Sequence, residues 1–229
     1  MDSYNVVNAG GFKWAVRESS RIGGLLQDNL GPNERETHNF DVLKKGANPA
    51  LNFIDVGANV GGFSIRLARY FKEVHAFEPN EFNADALNEN IVLNKITNIV
   101  QHKVGLGDKE MECQMSMRGG GSSILATLPE LEYATIQVKT LDSLNIPDVG
   151  AIKIDTEGYD EQVLEGAKNT ILKYKPILVI ETHEHSYTGE PKIAGQKNRI
   201  KAFLDSIGYK WEVLFTAHQR DEHLFAYYK

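Results

Sequence analysis

One stretch, Phe53-Ile-Asp-Val-Gly-Ala-Asn-Val-Gly-Gly-Phe63, limits the folds open to this chain more than any other. An apolar run ends on a carboxylate, breaks into closely spaced glycines and passes into a helical pattern, which reads as a strand, a tight turn and a helix N-terminus. Gly57 and Gly61 lack Cβ atoms, so the backbone turns sharply, a ligand can approach it closely, and free helix N–H groups lie nearby. Farther on, Val74-His-Ala-Phe-Glu78 is a second apolar run that closes on an acid. A glycine-rich turn followed about twenty residues later by an acid is the nucleoside-binding arrangement of doubly wound α/β proteins, with the acid receiving the ribose hydroxyls.

Asp55 separates the possible ligands. A dinucleotide fingerprint has its first glycine near this point, so that a pyrophosphate can settle on the helix N-terminus. A carboxylate there repels phosphate but favours the ammonium and sulfonium of S-adenosylmethionine, which has no phosphate. The expected cofactor is therefore S-adenosyl-L-methionine. A NAD-dependent oxidoreductase or epimerase would share the sheet and Glu78 but is opposed by Asp55. A non-catalytic adaptor keeping the fold is the third reading, and the intact acids count against it.

The rest of the chain carries the same alternation. Asn33 is placed to cap a helix running to Lys45, with Glu34 and Glu36 in its first turn; before it, Gly10-Gly11, Gly23-Gly24 and Gly31-Pro32 mark turns. Strands are expected at 51–56, 73–77, 99–104, 150–154 and 177–180, and helices at 62–71, 79–94, 159–173 and 193–207. Val163, Leu164, Ala167 and Ile171 form the buried stripe of the 159–173 helix, with Asp160 and Glu161 suiting its positive end. Alternation pauses at 111–117 and 135–139, which read as an inserted hairpin or lid around Gly119-Gly-Gly121-Ser-Ser123. Strands at 210–215 and 223–228 close the chain as an antiparallel hairpin. Together these give a mostly parallel sheet with one antiparallel strand.

Composition narrows the class. At 229 residues, 41% of them apolar, the chain fits one α/β domain. A formal charge of -6 and no run of Lys or Arg give no footprint for nucleic acid. Cys113 is the only cysteine, which excludes an intrachain disulfide and a thiolate metal cluster. Met1-Asp-Ser-Tyr-Asn is not a signal peptide and no apolar run can span a bilayer, so a cytoplasmic protein is expected, as monomer or homodimer.

The strings IDVGANVGGFS, AFEPN, TLDSL, IKIDTEGYDEQVLEGA and PILVIE, in this order and spacing, resemble the FkbM-type family of S-adenosylmethionine-dependent methyltransferases. The resemblance runs from about Leu51 to Glu181, with Thr156 where the family has Val. It implies a three-layer, Rossmann-like class I fold with a seven-stranded sheet, and O-methylation of a hydroxyl on a sugar or other small molecule. Residues 51–229 then form the methyltransferase domain, and residues 1–50 an extension whose helix covers the cofactor edge.

Ligands of such sheets bind beyond the carboxyl ends of the strands, which collects Asp55, Glu78, Asp155 and Glu181 on one rim. Asp55 is assigned to the methionine part of the donor and Glu78 to the ribose. Gly57, Ala58, Asn59 and Gly61 form the turn beneath it, Pro79 and Asn80 flank the adenine, and Gly105 walls its pocket. Asp155 is the first choice to orient or deprotonate the acceptor hydroxyl, or alternatively the N-cap of the following helix; Glu157 shares that work or serves the helix dipole. His183 is the best-placed histidine for proton transfer, because an unperturbed imidazole titrates near neutrality, and His185 ranks behind it. Asp155, Glu181 and His183 are of metal-ligand type, but no metal is expected.

Overall fold

The computed structural model describes residues 4–17, 34–117, 122–125, 131–184, 193–217 and 221–229. Asn33, Gly23-Gly24, Gly31-Pro32, Gly119 to Gly121 and His185 lie outside them. Seven strands form the central sheet: β3 (Asn52–Val56), β4 (Val74–Phe77), β5 (Ile99–His102), β9 (Val149–Ile154), β10 (Ile177–Glu181), β11 (Tyr209–Ala217) and β12 (Asp221–Tyr228). Their order is β11-β12-β10-β9-β3-β4-β5, with only β12 running against the rest. Strand order therefore reverses beside β3, where β9 lies on one side and β4 on the other. That crevice is where ligands of open α/β sheets bind.

The pleat splits each apolar strand between two cores. Ile54, Ile152 and Leu178 pack beneath α4 (Asp160–Gly166), α5 (Lys168–Tyr174) and α6 (Gln196–Ser206), against Val163, Leu164, Ile171, Ile200 and Leu204. Their neighbours Phe53, Ala151 and Val179 face the other way, against Leu43 of α1 (Glu34–Lys45) and Phe63 and Leu67 of α2 (Gly62–Leu67). On that same side α3 (Glu81–Leu93) adds Leu87, packed with Ile65 and Ala76. Two helical layers thus enclose one sheet, a three-layer Rossmann-like arrangement. Among the described residues no helix is long and apolar enough to cross a membrane.

Three elements depart from the sequence reading. The first is a hairpin of β1 (Tyr4–Ala9) and β2 (Phe12–Arg17) where only a turn was marked. Gly10 and Gly11 both have positive φ, 60° and 82°, as a two-residue hairpin turn requires. The hairpin docks on α3: Asn94 and Asn90 accept from the backbone N–H groups of Lys13 and Ala15, and Trp14 is 1% exposed among Ala58, Ile65 and Leu87. The second is the 159–173 helix, which breaks into α4 and α5 at Ala167. Asp142 supplies the cap that makes the second start possible, accepting from Asn169 N–H at 2.9 Å and Thr170 N–H at 2.7 Å. The third is the insertion, where β7 (Met111–Ser116) and β8 (Tyr133–Lys139) pair as expected and a short β6 (Gly105–Leu106) adds alongside β8.

Candidate active site

Glu78, directly after β4, is 6% exposed, and its Oε2 and Oε1 each accept one backbone N–H, from Asn59 at 2.8 Å and Asn80 at 2.9 Å. Asn59 presents its N–H by adopting a left-handed φ of 52°. The Asn83 side chain adds a third hydrogen bond to this carboxylate, which leaves part of its acceptor capacity for a further hydroxyl. Burial pushes the Glu78 carboxyl up to about 7, against the opposing pull of those N–H groups and Lys153. Asn80 also caps α3, accepting from Phe82 N–H, and its amide donates to Ser122 Oγ at 2.9 Å. Pro79 beside it is half-buried.

Asp55 does not stand as an isolated negative charge. It is fully buried; Oδ2 accepts from Ser64 Oγ at 2.6 Å, and Oδ1 lies 3.5 Å from the ammonium of Lys153. Lys153, 4% exposed in mid-strand, also donates to Gly57 O at 2.9 Å and lies 3.4 Å from Asp155 Oδ2. Burial works against its charge, but Asp155, Asp55 and Glu181 outweigh it and hold the ammonium above the usual lysine range. The repulsion expected between Asp55 and a phosphate is therefore largely cancelled by Lys153.

The glycines of the turn have a packing reason as well. A Cβ on Gly57 (φ 75°) would sit 1.8 Å from the Asp155 carbonyl oxygen, so the residue permits the close approach of β3 and β9. One on Gly61 (φ 95°) would meet Leu87 at 2.5 Å. Ala58 faces the core beside Trp14. Gly105 lies in the inserted sheet, paired with Val138.

A second group of side chains gathers past β9 and β10. His183 is 6% exposed, its Nδ1 2.8 Å from Asp160 Oδ2 and its Nε2 3.9 Å from Asp155 Oδ1 and 4.0 Å from Glu157 Oε2. Asp160 also accepts from Thr156 N–H and Thr156 Oγ, both at 2.7 Å, so it holds the turn and the imidazole together. The hydroxyl of Thr156 thus has a role that the family's Val could not fill. Asp155 caps no helix: α4 begins at Asp160 behind Tyr159, without a side-chain cap, and Asp155 turns to Lys153. Glu157 adopts a left-handed φ of 53°, a conformation costly for a non-glycine residue.

These groups shift one another. Burial opposes the Asp155 charge, yet Lys153, His183 and His223 hold its carboxyl below the usual range. Burial and then Asp155 push Glu157 up to about 7 and Glu181 well above the usual range. Burial works against charge on His183, but Asp160, Glu181 and Asp155 prevail and raise it well above an ordinary imidazole. These carboxylates favour the protonated form of His183, which weighs against a role as a free base. Glu181 faces His223 across β12, Oε1 to Nε2 at 3.4 Å, and His223 Nδ1 accepts from Asn39 of α1 at 2.7 Å. A cavity of about 40 Å³ opens between Asn39, Phe63, Lys153, Asp155, Glu181 and His223. Described residues at the end of the insertion span both groups: Ser122 touches Asn80, and Ser123 Oγ donates to Glu157 O at 3.0 Å.

Residues 55–211 match the methyltransferase FkbM domain. The chain belongs to the FkbM methyltransferase family. An FkbM methyltransferase from Methylobacillus flagellatus is 22% identical with a TM-score of 0.57; the match covers 78% of this chain but only 44% of that one. TYW2 of M. jannaschii, solved with AdoMet, is 15% identical over 99% of this chain and 85% of its own, TM-score 0.51. A Streptococcus mutans protein solved with SAH is 14% identical over 85% and 96%, TM-score 0.56. No curated protein matches the chain at significance. This FkbM-family chain shares the fold of structures solved with AdoMet or SAH bound. Sequence reasoning had found its strand-end acids but missed Lys153, Asp160, Ser64, Asn39 and His223. Lysine inside the apolar run Ala151-Ile-Lys-Ile154 was a readable signal, whereas nothing in the sequence links Asn39 to His223.

Proposed function

We propose that the chain methylates a hydroxyl oxygen of a small-molecule acceptor, with saccharides the first class to test. The observation that carries this reading is the pair of carboxylates, Asp155 and Glu157, each within about 4 Å of His183 Nε2 and beside the Asp55–Glu78 turn. Glu78 fits a ribose hydroxyl, being a carboxylate at the end of β4 with acceptor capacity beyond its bonds to Asn59, Asn80 and Asn83, and the Gly57–Gly61 turn fits the methionine arm beside Lys153 and Asp55. When bound, S-adenosylmethionine supplies the methyl group: a C–O bond forms as the S–C bond breaks, its electron pair staying on sulfur. Asp155 accepts the acceptor O–H and aligns a lone pair for in-line attack. Glu157, across from His183, receives the proton. His183, fixed by Asp160, keeps the two carboxylates from repelling one another apart. The end of the insertion, tied to Asn80 and Glu157, closes over both reactants and keeps water out.

The test is methyl transfer from isotope-labelled S-adenosylmethionine to panels of monosaccharides, lipid-linked saccharides, phenols and bulk tRNA, with the product linkage read by mass spectrometry. Labelled methyl ethers support the reading; label on a nucleobase, or on nitrogen or carbon of any acceptor, defeats it.

A further inference from the structure

We propose that Asp155, Glu181 and His183 bind one first-row divalent metal ion of the Mn²⁺ class within the acceptor group. One ligand atom from each lies within 4.8 Å of the other two. Ligands on a common ion at about 2.1 Å stand roughly 3–4 Å apart, so a small closure of side chains suffices. Two carboxylates and an imidazole are a mixed oxygen and nitrogen set, which suits Mn²⁺ or Co²⁺ better than the oxygen-seeking Mg²⁺ or Ca²⁺.

Each ligand is held from behind, as metal ligands generally are. His183 gives its Nδ1 to Asp160 and points Nε2 into the group; Glu181 is met by His223 at 3.4 Å; Asp155 gives Oδ2 to Lys153 and leaves Oδ1 toward His183. Five carboxylates, those of Asp55, Asp155, Glu157, Asp160 and Glu181, gather around Lys153, His183 and His223 here.

A separate observation comes from α1. Asn39 is 5% exposed and lines the same 40 Å³ cavity as Asp155 and Glu181, and its Oδ1 has no hydrogen-bond partner. A buried amide oxygen left unpaired is costly, and the cavity is large enough for water. A water on the ion supplies the missing donor. The acceptor hydroxyl takes an open position on the ion, which polarises its O–H bond; this use of the ion rests on the methyltransferase reading, whereas its binding does not.

The experiment titrates Mn²⁺ into the chelator-treated 229-residue chain, reading free Mn²⁺ by electron paramagnetic resonance. The same preparations are tested for thermal stabilisation by S-adenosylhomocysteine. Expected are one ion per chain, nitrogen coupling from an imidazole in the spin-echo spectrum, and at least tenfold weaker binding in Glu181→Gln and Asp155→Asn. The exposed Glu165→Gln should bind as wild type does. Absence of stoichiometric binding at millimolar Mn²⁺, absence of nitrogen coupling, or unchanged affinity in both site variants overturns the metal site. Stabilisation by S-adenosylhomocysteine without Mn²⁺ binding leaves the methyltransferase reading standing and removes the metal; the reverse pattern keeps the metal and removes the donor assignment.

Discussion

Replacing Lys153 by Met should unfold the site from its centre. The ammonium lies 3.5 Å from Asp55 Oδ1 and 3.4 Å from Asp155 Oδ2, with Asp55 fully buried and Lys153 4% exposed. At an effective dielectric of about 20, a unit pair at that distance attracts by about 5 kcal/mol, partly offset by desolvation. Lys153→Met leaves the Asp55 carboxylate with one hydrogen bond, from Ser64 Oγ, and no countercharge. Stripping one partner from a buried pair costs about 3–5 kcal/mol, a large part of the stability of an ordinary domain. With a urea slope of about 2 kcal/mol/M, the unfolding midpoint falls by roughly 1.5–2.5 M at unchanged slope. Adding Asp55→Asn removes the stranded charge while Asn still accepts from Ser64, so the double variant should recover about 2 kcal/mol or more. Tryptophan fluorescence during urea unfolding measures all four corners of this cycle. A loss below about 1 kcal/mol in Lys153→Met, or a double variant as unstable as the sum of the singles, refutes the pairing as the source of stability.

Glu78 gives a pH prediction with opposite signs for stability and binding. Its folded-state pKa, about 7, lies above the unfolded value, so its stabilising contribution is complete below about 4.5 and is lost as pH rises through 7. The difference is about 3 kcal/mol, and Glu78→Gln should flatten that part of the profile. S-adenosylhomocysteine affinity, measured calorimetrically at pH 5.5 and 8, should instead be higher at pH 8, where the carboxylate is ionised. Gly57→Ala forces a Cβ to 1.8 Å from the Asp155 carbonyl at a φ of 75°, so it should yield little folded protein, as circular dichroism of the purified variant would show. Trp14→Ala should cost about 3–5 kcal/mol in urea unfolding, because Trp14 is 1% exposed and joins the N-terminal hairpin to α3.

Much of this molecule was legible because local pattern and global topology agree. The runs ending at Asp55, Glu78, Asp155 and Glu181 are each a strand carrying an acid to the same end of a parallel sheet, and once the alternation is read the rim follows. The Gly10-Gly11 hairpin had a readable turn signal but short, partly polar flanks. Ala167 gave no warning of a helix break, because the cap that allows it comes from Asp142, distant in the chain. The state of the site was less legible than its membership. Asp55 reads as an exposed charge until Lys153 is seen beside it, and His183 reads as a neutral base until Asp160 and Glu181 surround it. Charge balance among buried groups depends on which face of each strand meets which neighbour, and spacing alone does not carry that.

The hydrogen bond from Asn39 to His223 joins residues 184 positions apart, whereas Asn59 meets Glu78 across only 19. Loop-closure entropy therefore favours forming the Glu78 half of the site before the Glu181 half. The Asp55–Glu78 turn closes as soon as β3, α2 and β4 have docked, a local event with little loop entropy to overcome. The Glu181 side waits for the last strand to slide in between β10 and β11 and for α1 to reach it from the other end of the chain. A chain lacking β12 would keep the Asn59–Glu78 contact but lose His223 from beside Glu181, so the final strand completes one half of the site and not the other.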